Sequence, residues 1–181
     1  CGKSQCDKLV RVESRMKPLI FSTIHGSRLY GLSNANSDTD YYFVYEGTGK
    51  DLKQSVDGKI DTVRGDLPAF LTRALSGSHQ SLEALFSHQK VYEPGMREKW
   101  GPFIESLRVT GSDVFAKYER TIKKFCYGDF KRRRHAVRLS FNLADLRESG
   151  RFDPEMSLTQ VRYADRMAGM YEGDELKEVI L

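Results

Sequence analysis

Two kinds of periodicity divide this chain, and they do not mix. Apolar and β-branched runs of strand length lie only in the first third: Leu19-Ile20-Phe21-Ser22-Thr23-Ile24, Tyr41-Tyr42-Phe43-Val44-Tyr45 and a shorter Ile60-Asp61-Thr62-Val63. From Asp66 onward the apolar residues recur at helical spacing instead. Leu67, Phe70, Leu71, Ala74 and Leu75 share one face, with Asp66 as the cap and Gly77 as the stop, and Leu82, Leu85 and Phe86 start another short helix. Segments near 97–109, 113–127, 130–149, 157–170 and 174–181 follow, parted by Gly111-Ser112, Gly128-Asp129, Gly150 and Gly173. The longest is capped by Asp129 and carries Ala136, Leu139, Leu143 and Leu146 on one side. Strands first and helices afterwards predict an α+β fold, a small mixed β-sheet with a helical C-terminal bundle against it. The expected division is a core over 1–90 and a helical subdomain over 91–181.

Other classes fall away on simple grounds. No uninterrupted apolar run approaches the roughly 18 residues of a membrane helix. A composition that is 39% hydrophobic and 11% aromatic is that of a globular chain. Cys1, Cys6 and Cys126 form neither a disulfide framework nor a paired zinc motif, so a reducing, cytoplasmic setting is expected. Residues 1–17 are polar and basic, a short helix or an arm, and do not resemble a secretory signal.

The chemistry concentrates between the first two strands. The first ends in His25-Gly26-Ser27, where a helix is expected to begin. Glycine lets the backbone approach a ligand, a helix N-terminus offers free amides to an anion, and the Ser27 hydroxyl adds a donor. Eleven residues later Ser37-Asp38-Thr39-Asp40 leads into the second strand. Side chains two apart on a strand share a face, so Asp38 and Asp40 become neighbours that repel unless a cation lies between them. Hard oxygen ligands so arranged suit Mg²⁺. Asp61, inside the third β-like run, completes the cluster if that strand pairs with the second. Asp57 and Asp66 flank the same run and remain open as alternatives, although they read as turn and cap. A calcium loop over Asn34, Asn36, Asp38 and Asp40 fails, because the EF-hand's glycine and glutamate positions hold Thr39 and Tyr45.

A second cluster is basic. Residues 111–151 hold 11 Lys and Arg against five Asp and Glu, a local excess of six within a chain whose total is +4. The rest of the protein is therefore net negative. Lys131, His135 and Arg138 lie on one helical face, where they would meet a phosphate if that face lines the cleft, while Arg132 and Arg133 point elsewhere. Outward arginines could instead attract a nucleic-acid backbone. His25 is expected to be structural or supporting, Tyr41-Tyr42 strand packing, Trp100 and Phe103 core, and Cys126 an inert buried thiol.

Gly26-Ser27, Ser37-Asp38-x-Asp40 and a later strand aspartate together resemble the DNA polymerase β-type nucleotidyltransferase superfamily. Gly26-Ser27-x-x-Tyr30-Gly31-Leu32 narrows the resemblance to the branch of predicted nucleotidyltransferases common in bacteria and their phages. Leu82-Glu83-x-Leu85-Phe86, Lys131-x-x-x-His135-x-x-Arg138-Leu139 and Tyr171-Glu172-Gly173-Asp174 extend it over roughly residues 19–180. The resemblance implies a Mg²⁺-dependent enzyme that moves a nucleoside monophosphate from a nucleoside triphosphate to a hydroxyl acceptor, RNA or tRNA or a protein side chain, releasing pyrophosphate. It implies Asp38, Asp40 and Asp61 as catalytic and metal-binding residues. Gly26 and Ser27 would hold the β- and γ-phosphates, with Ser37, Lys131, His135 and Arg138 also on the substrate. The competing expectation is a non-catalytic nucleotide- or RNA-binding module on the same fold.

Overall fold

The computed structural model describes residues 17–49 and 52–181. Most of the basic N-terminal segment, with Cys1 and Cys6, therefore lies outside the described residues. The five strands formed among them are β1 (Leu19–His25), β2 (Thr39–Tyr45), β3 (Leu52–Asp57), β4 (Ile60–Asp66) and β5 (Val91–Tyr92). They build one mixed sheet in the order β3-β4-β2-β1-β5, in which β2 and β4 run parallel and the other pairs antiparallel. Seven helices follow the sheet's central strands: α1 (Leu67–Leu75), α2 (His79–Phe86), α3 (Met96–Ser106), α4 (Ser112–Cys126), α5 (Phe130–Ser149), α6 (Leu158–Met170) and α7 (Gly173–Ile180). The α+β class and the run of helices after residue 66 are as the periodicity predicts.

Caps explain several boundaries. The Asp66 side chain accepts from Ala69 N at 3.1 Å and starts α1, and Asp129 accepts from Arg132 N at 2.9 Å and starts α5. Gly150 ends α5 in the left-handed region at φ 71°, where a β-carbon would be strained. One apolar core joins sheet to bundle, running from Ile20, Phe21, Tyr42 and Phe70 to Tyr118, Ile122, Leu139 and Leu143. Cys126 is buried within it. Among the described residues no helix is long and apolar enough to cross a membrane.

Two expectations are corrected. Strand β3 does not stand out in the sequence because Leu52–Asp57 is an edge strand, almost wholly exposed, whose only apolar residues are Leu52 and Val56. The helix expected at Gly26-Ser27 is only a 3₁₀ turn over Gly26–Arg28. The chain then folds back on itself through Leu29, Tyr30 and Leu32, which bury their side chains against Ile24, Met156 and Val161. Burying one such side chain contributes roughly 1.5–3 kcal/mol, so this small second core, not a helix, anchors the loop.

Candidate active site

The sheet register gathers the acidic residues. His25 on β1 stands opposite Asp40 on β2, and Asp40 stands beside Asp61 on β4. Directly paired residues project to the same side of a sheet. His25, Asp40 and Asp61 therefore form one row across three adjacent strands. Asp38 falls two residues earlier, just outside β2, and is exposed. Of the other carboxylates, Asp57 ends β3 opposite Ile60, and Asp66 is taken up by the α1 cap, by Gly49 N at 2.9 Å and by Lys17. Only Asp61 is in register with Asp40.

Gly26 lies hard against this row. A β-carbon there would come within 1.9 Å of Asp40 Oδ2, and its φ of +74° is in the left-handed region. No other side chain fits the position. Arg28 ties the approach to β2, donating from Nε to Asp38 O at 3.2 Å and from Nη2 to Ser37 O at 2.9 Å. Ser37 Oγ accepts from Asn34 N at 2.8 Å, so as placed it shapes the loop that delivers Asp38.

The carboxylates crowd one another. Burial raises the Asp40 carboxyl above its ordinary range; Asp61, Asp38 and Glu83 push the same way, while His25 opposes them. His25 is 2% exposed, and burial holds its imidazole towards the neutral form against the pull of Glu83, Asp40 and Asp61. Asp61 Oδ2 accepts from Gln54 Nε2 at 2.7 Å, whereas its buried Oδ1 has no hydrogen-bond partner among the described residues. An orphaned carboxylate oxygen in an all-oxygen donor set is chemistry that fits a hard divalent cation. Among the described residues, however, no three or more His, Cys, Asp or Glu side chains already converge as a metal site.

A cleft of about 420 Å³ opens beside the row, lined by Ser27, Ser37 and Asp38 on the sheet side and by Lys131, Arg134 and His135 of α5 on the other. The acidic loop and the basic helix thus face each other. Arg134 pairs with Asp165 and lies over the Phe130 ring, while Arg133 turns away to Glu172 and Ala168 O. His135 is half-buried, and burial above all, then Arg138 and Lys131, pushes its pKa down to about 3.

Arg138 is not in the cleft. It is 1% exposed and paired with Glu83, itself fully buried on α2, at 2.8 Å. Its guanidinium lies over the Tyr30 ring at 3.8 Å, and the His135 ring meets Tyr30 edge-on with centroids 5.7 Å apart. The structure places Arg138, expected on the substrate, away from the cleft lining: one turn beyond His135, the same helical face has sunk into the core. Arg134 lines the cleft in its place. Glu83, Gln54 and Arg28 are further residues that spacing did not single out. The signal for Glu83 was an acid inside the apolar run Leu82-Glu83-Ala84-Leu85-Phe86, a charge that burial obliges to find a partner.

Comparison with known proteins agrees in kind. The family model described as the RNA repair pathway DNA polymerase beta family, RlaP, matches residues 2–180. No curated protein matches. Among solved structures, a nucleotidyltransferase-like protein from Exiguobacterium sibiricum aligns over 99% of this chain and 71% of its own at 8% identity, with a TM-score of 0.34, too low to bear on fold or function.

Proposed function

The chain belongs to the RNA repair pathway DNA polymerase beta family and is nucleotidyltransferase-like; from that premise we propose that it is an active, Mg²⁺-dependent nucleotidyltransferase. It transfers a nucleoside monophosphate from a nucleoside triphosphate to a hydroxyl of RNA or tRNA or of a protein side chain. The observation that carries this is the row of Asp40 and Asp61 in register, closed against Gly26, with Asp38 two residues before Asp40 on the wall of a cleft that Lys131 and Arg134 line from the other side.

Asp38, Asp40 and Asp61 are the residues that would hold the metal. Bound there, divalent cations would offset charge on the phosphates and make the acceptor hydroxyl easier to deprotonate. Ser27 and the turn at Gly26 supply the sheet-side wall for the triphosphate, and Lys131 and Arg134 supply opposing positive charge. Gln54 orients Asp61, and Arg28 orients the strand entry that carries Asp38. His135 stays neutral at physiological pH, so within the cleft it acts as a hydrogen-bonding group rather than a cation.

One observation favours the non-catalytic alternative, namely that the ligating side chains do not yet converge among the described residues. Calorimetric titration with ATP decides between them. The enzyme binds ATP at least about tenfold more tightly with Mg²⁺ than without, and Asp40→Ala abolishes that difference. Equal affinity in both conditions supports the binding module.

A further inference from the structure

At the C-terminal end of α2 another cavity, of about 400 Å³, is built from parts that the nucleotide cleft does not use. Its floor is Phe86 and Ser87, both buried at the end of α2. Around them stand Lys90 from the loop into β5, Tyr92 from β5, Arg97 and Glu105 from α3, and Arg151 from the segment after α5. The fold brings these together deliberately. Gly150 turns the chain out of α5, and its carbonyl accepts from Val109 N at 2.8 Å, which draws Arg151 to the end of α3.

Three cations therefore share a concave wall with one carboxylate. Arg151 lies over the Phe86 ring at 5.1 Å and donates to Glu105 O, so its position is set. Lys90 donates to Ser87 O at 2.5 Å. Burial, with Arg151 adding to it, lowers the Lys90 ammonium to about 8, so it remains mostly charged at neutral pH. Tyr92 Oη is buried and has no hydrogen-bond partner among the described residues, which leaves a donor facing charged groups. Arg97 is exposed at the rim. Glu105 offsets one of the three positive charges, which leaves a net positive wall, and a guanidinium with a phenol and an ammonium offers the donor set of a phosphate.

We propose that the cavity between α2, β5, α3 and Arg151 is a second, phosphate-binding site, taking the phosphate of a mononucleotide or pyrophosphate, or of a polynucleotide backbone. It stands independently of the catalytic reading, because none of its residues lines the nucleotide cleft. Two-dimensional amide NMR on the full chain tests it, with inorganic pyrophosphate and a short single-stranded oligoribonucleotide as separate probes in the absence of divalent metal. The expected result is a set of shifts at residues 90–92, 97 and 151 that titrates separately from any set at 27–38 and 131–135. Arg97→Glu, at an exposed rim position, raises the half-saturating concentration of the first set about tenfold and leaves the second unmoved. Shifts with pyrophosphate assign a small ligand, and shifts with the oligonucleotide alone assign a polynucleotide. Shifts confined to the cleft, shifts nowhere, or a first set unchanged by Arg97→Glu overturn the proposal. Without divalent metal the catalytic reading predicts little or no cleft set, so its absence leaves both that reading and this site standing, and the two fail separately.

Discussion

Gly26 carries two independent demands, a left-handed backbone and contact with the Asp40 carboxylate where a β-carbon would otherwise be. Alanine there costs roughly 1–2 kcal/mol from the backbone alone, before Asp40 is displaced. Gly26→Ala is therefore expected to lower nucleotide transfer by at least about tenfold while the protein stays folded, measured by initial rate beside a thermal melt. His135 makes a different kind of demand. Its pKa is near 6.5 when unfolded and about 3 when folded, so between those values the unfolded chain takes up a proton that the folded chain refuses. Stability must then fall as pH falls through that window and be fully present above 6.5. Urea denaturation between pH 4 and 7 should show a shallower acid slope for His135→Gln than for the unchanged protein. Equal slopes would remove His135 from the account.

At the scale of elements, Glu83 and Arg138 clamp α2 to α5, and the Arg138 guanidinium covers the ring of Tyr30, four residues beyond Gly26. A charge left alone in such a place is far more costly than the pair removed together. Arg138→Met is expected to destabilise by about 3–5 kcal/mol in urea denaturation, and Glu83→Gln/Arg138→Met by much less. Additive losses would mean that the two do not act as a pair. This clamp also marks where sequence reading stopped. Helix periodicity set Arg138 on the face of Lys131 and His135, correctly, but depth along that face depends on what packs over it, and α2 lies far away in the chain. The strands show the same division. Apolar runs reveal β1, β2 and most of β4, because these bury a face, whereas β3 is exposed and β5 has two residues, too short for any period. Gly26-Ser27 and Asp38-x-Asp40 stand out in the sequence because their spacing is local, whereas Asp61 joins them only through the pairing of β2 with β4. Gln54, Arg28 and Glu83 act only through pairings that the fold creates.

For the whole molecule, a net charge of +4 conceals a separation of charge, an acidic row at the sheet and, across a cleft of about 420 Å³ that Asp38 lines on one side, the basic helix α5. Opposite charges on facing walls suit a ligand that is itself polar along its length, a metal-bound triphosphate. The most direct measurement is label transfer from each α-³²P nucleoside triphosphate, with Mg²⁺, to cell RNA and protein. The prediction is Mg²⁺-dependent label in one of these fractions, carried as a covalent nucleoside monophosphate adduct with release of unlabelled pyrophosphate, and reduced by roughly a hundredfold or more in both Asp38→Ala and Asp40→Ala. Label in neither fraction with any of the four nucleotides, or undiminished label in Asp40→Ala, would contradict it.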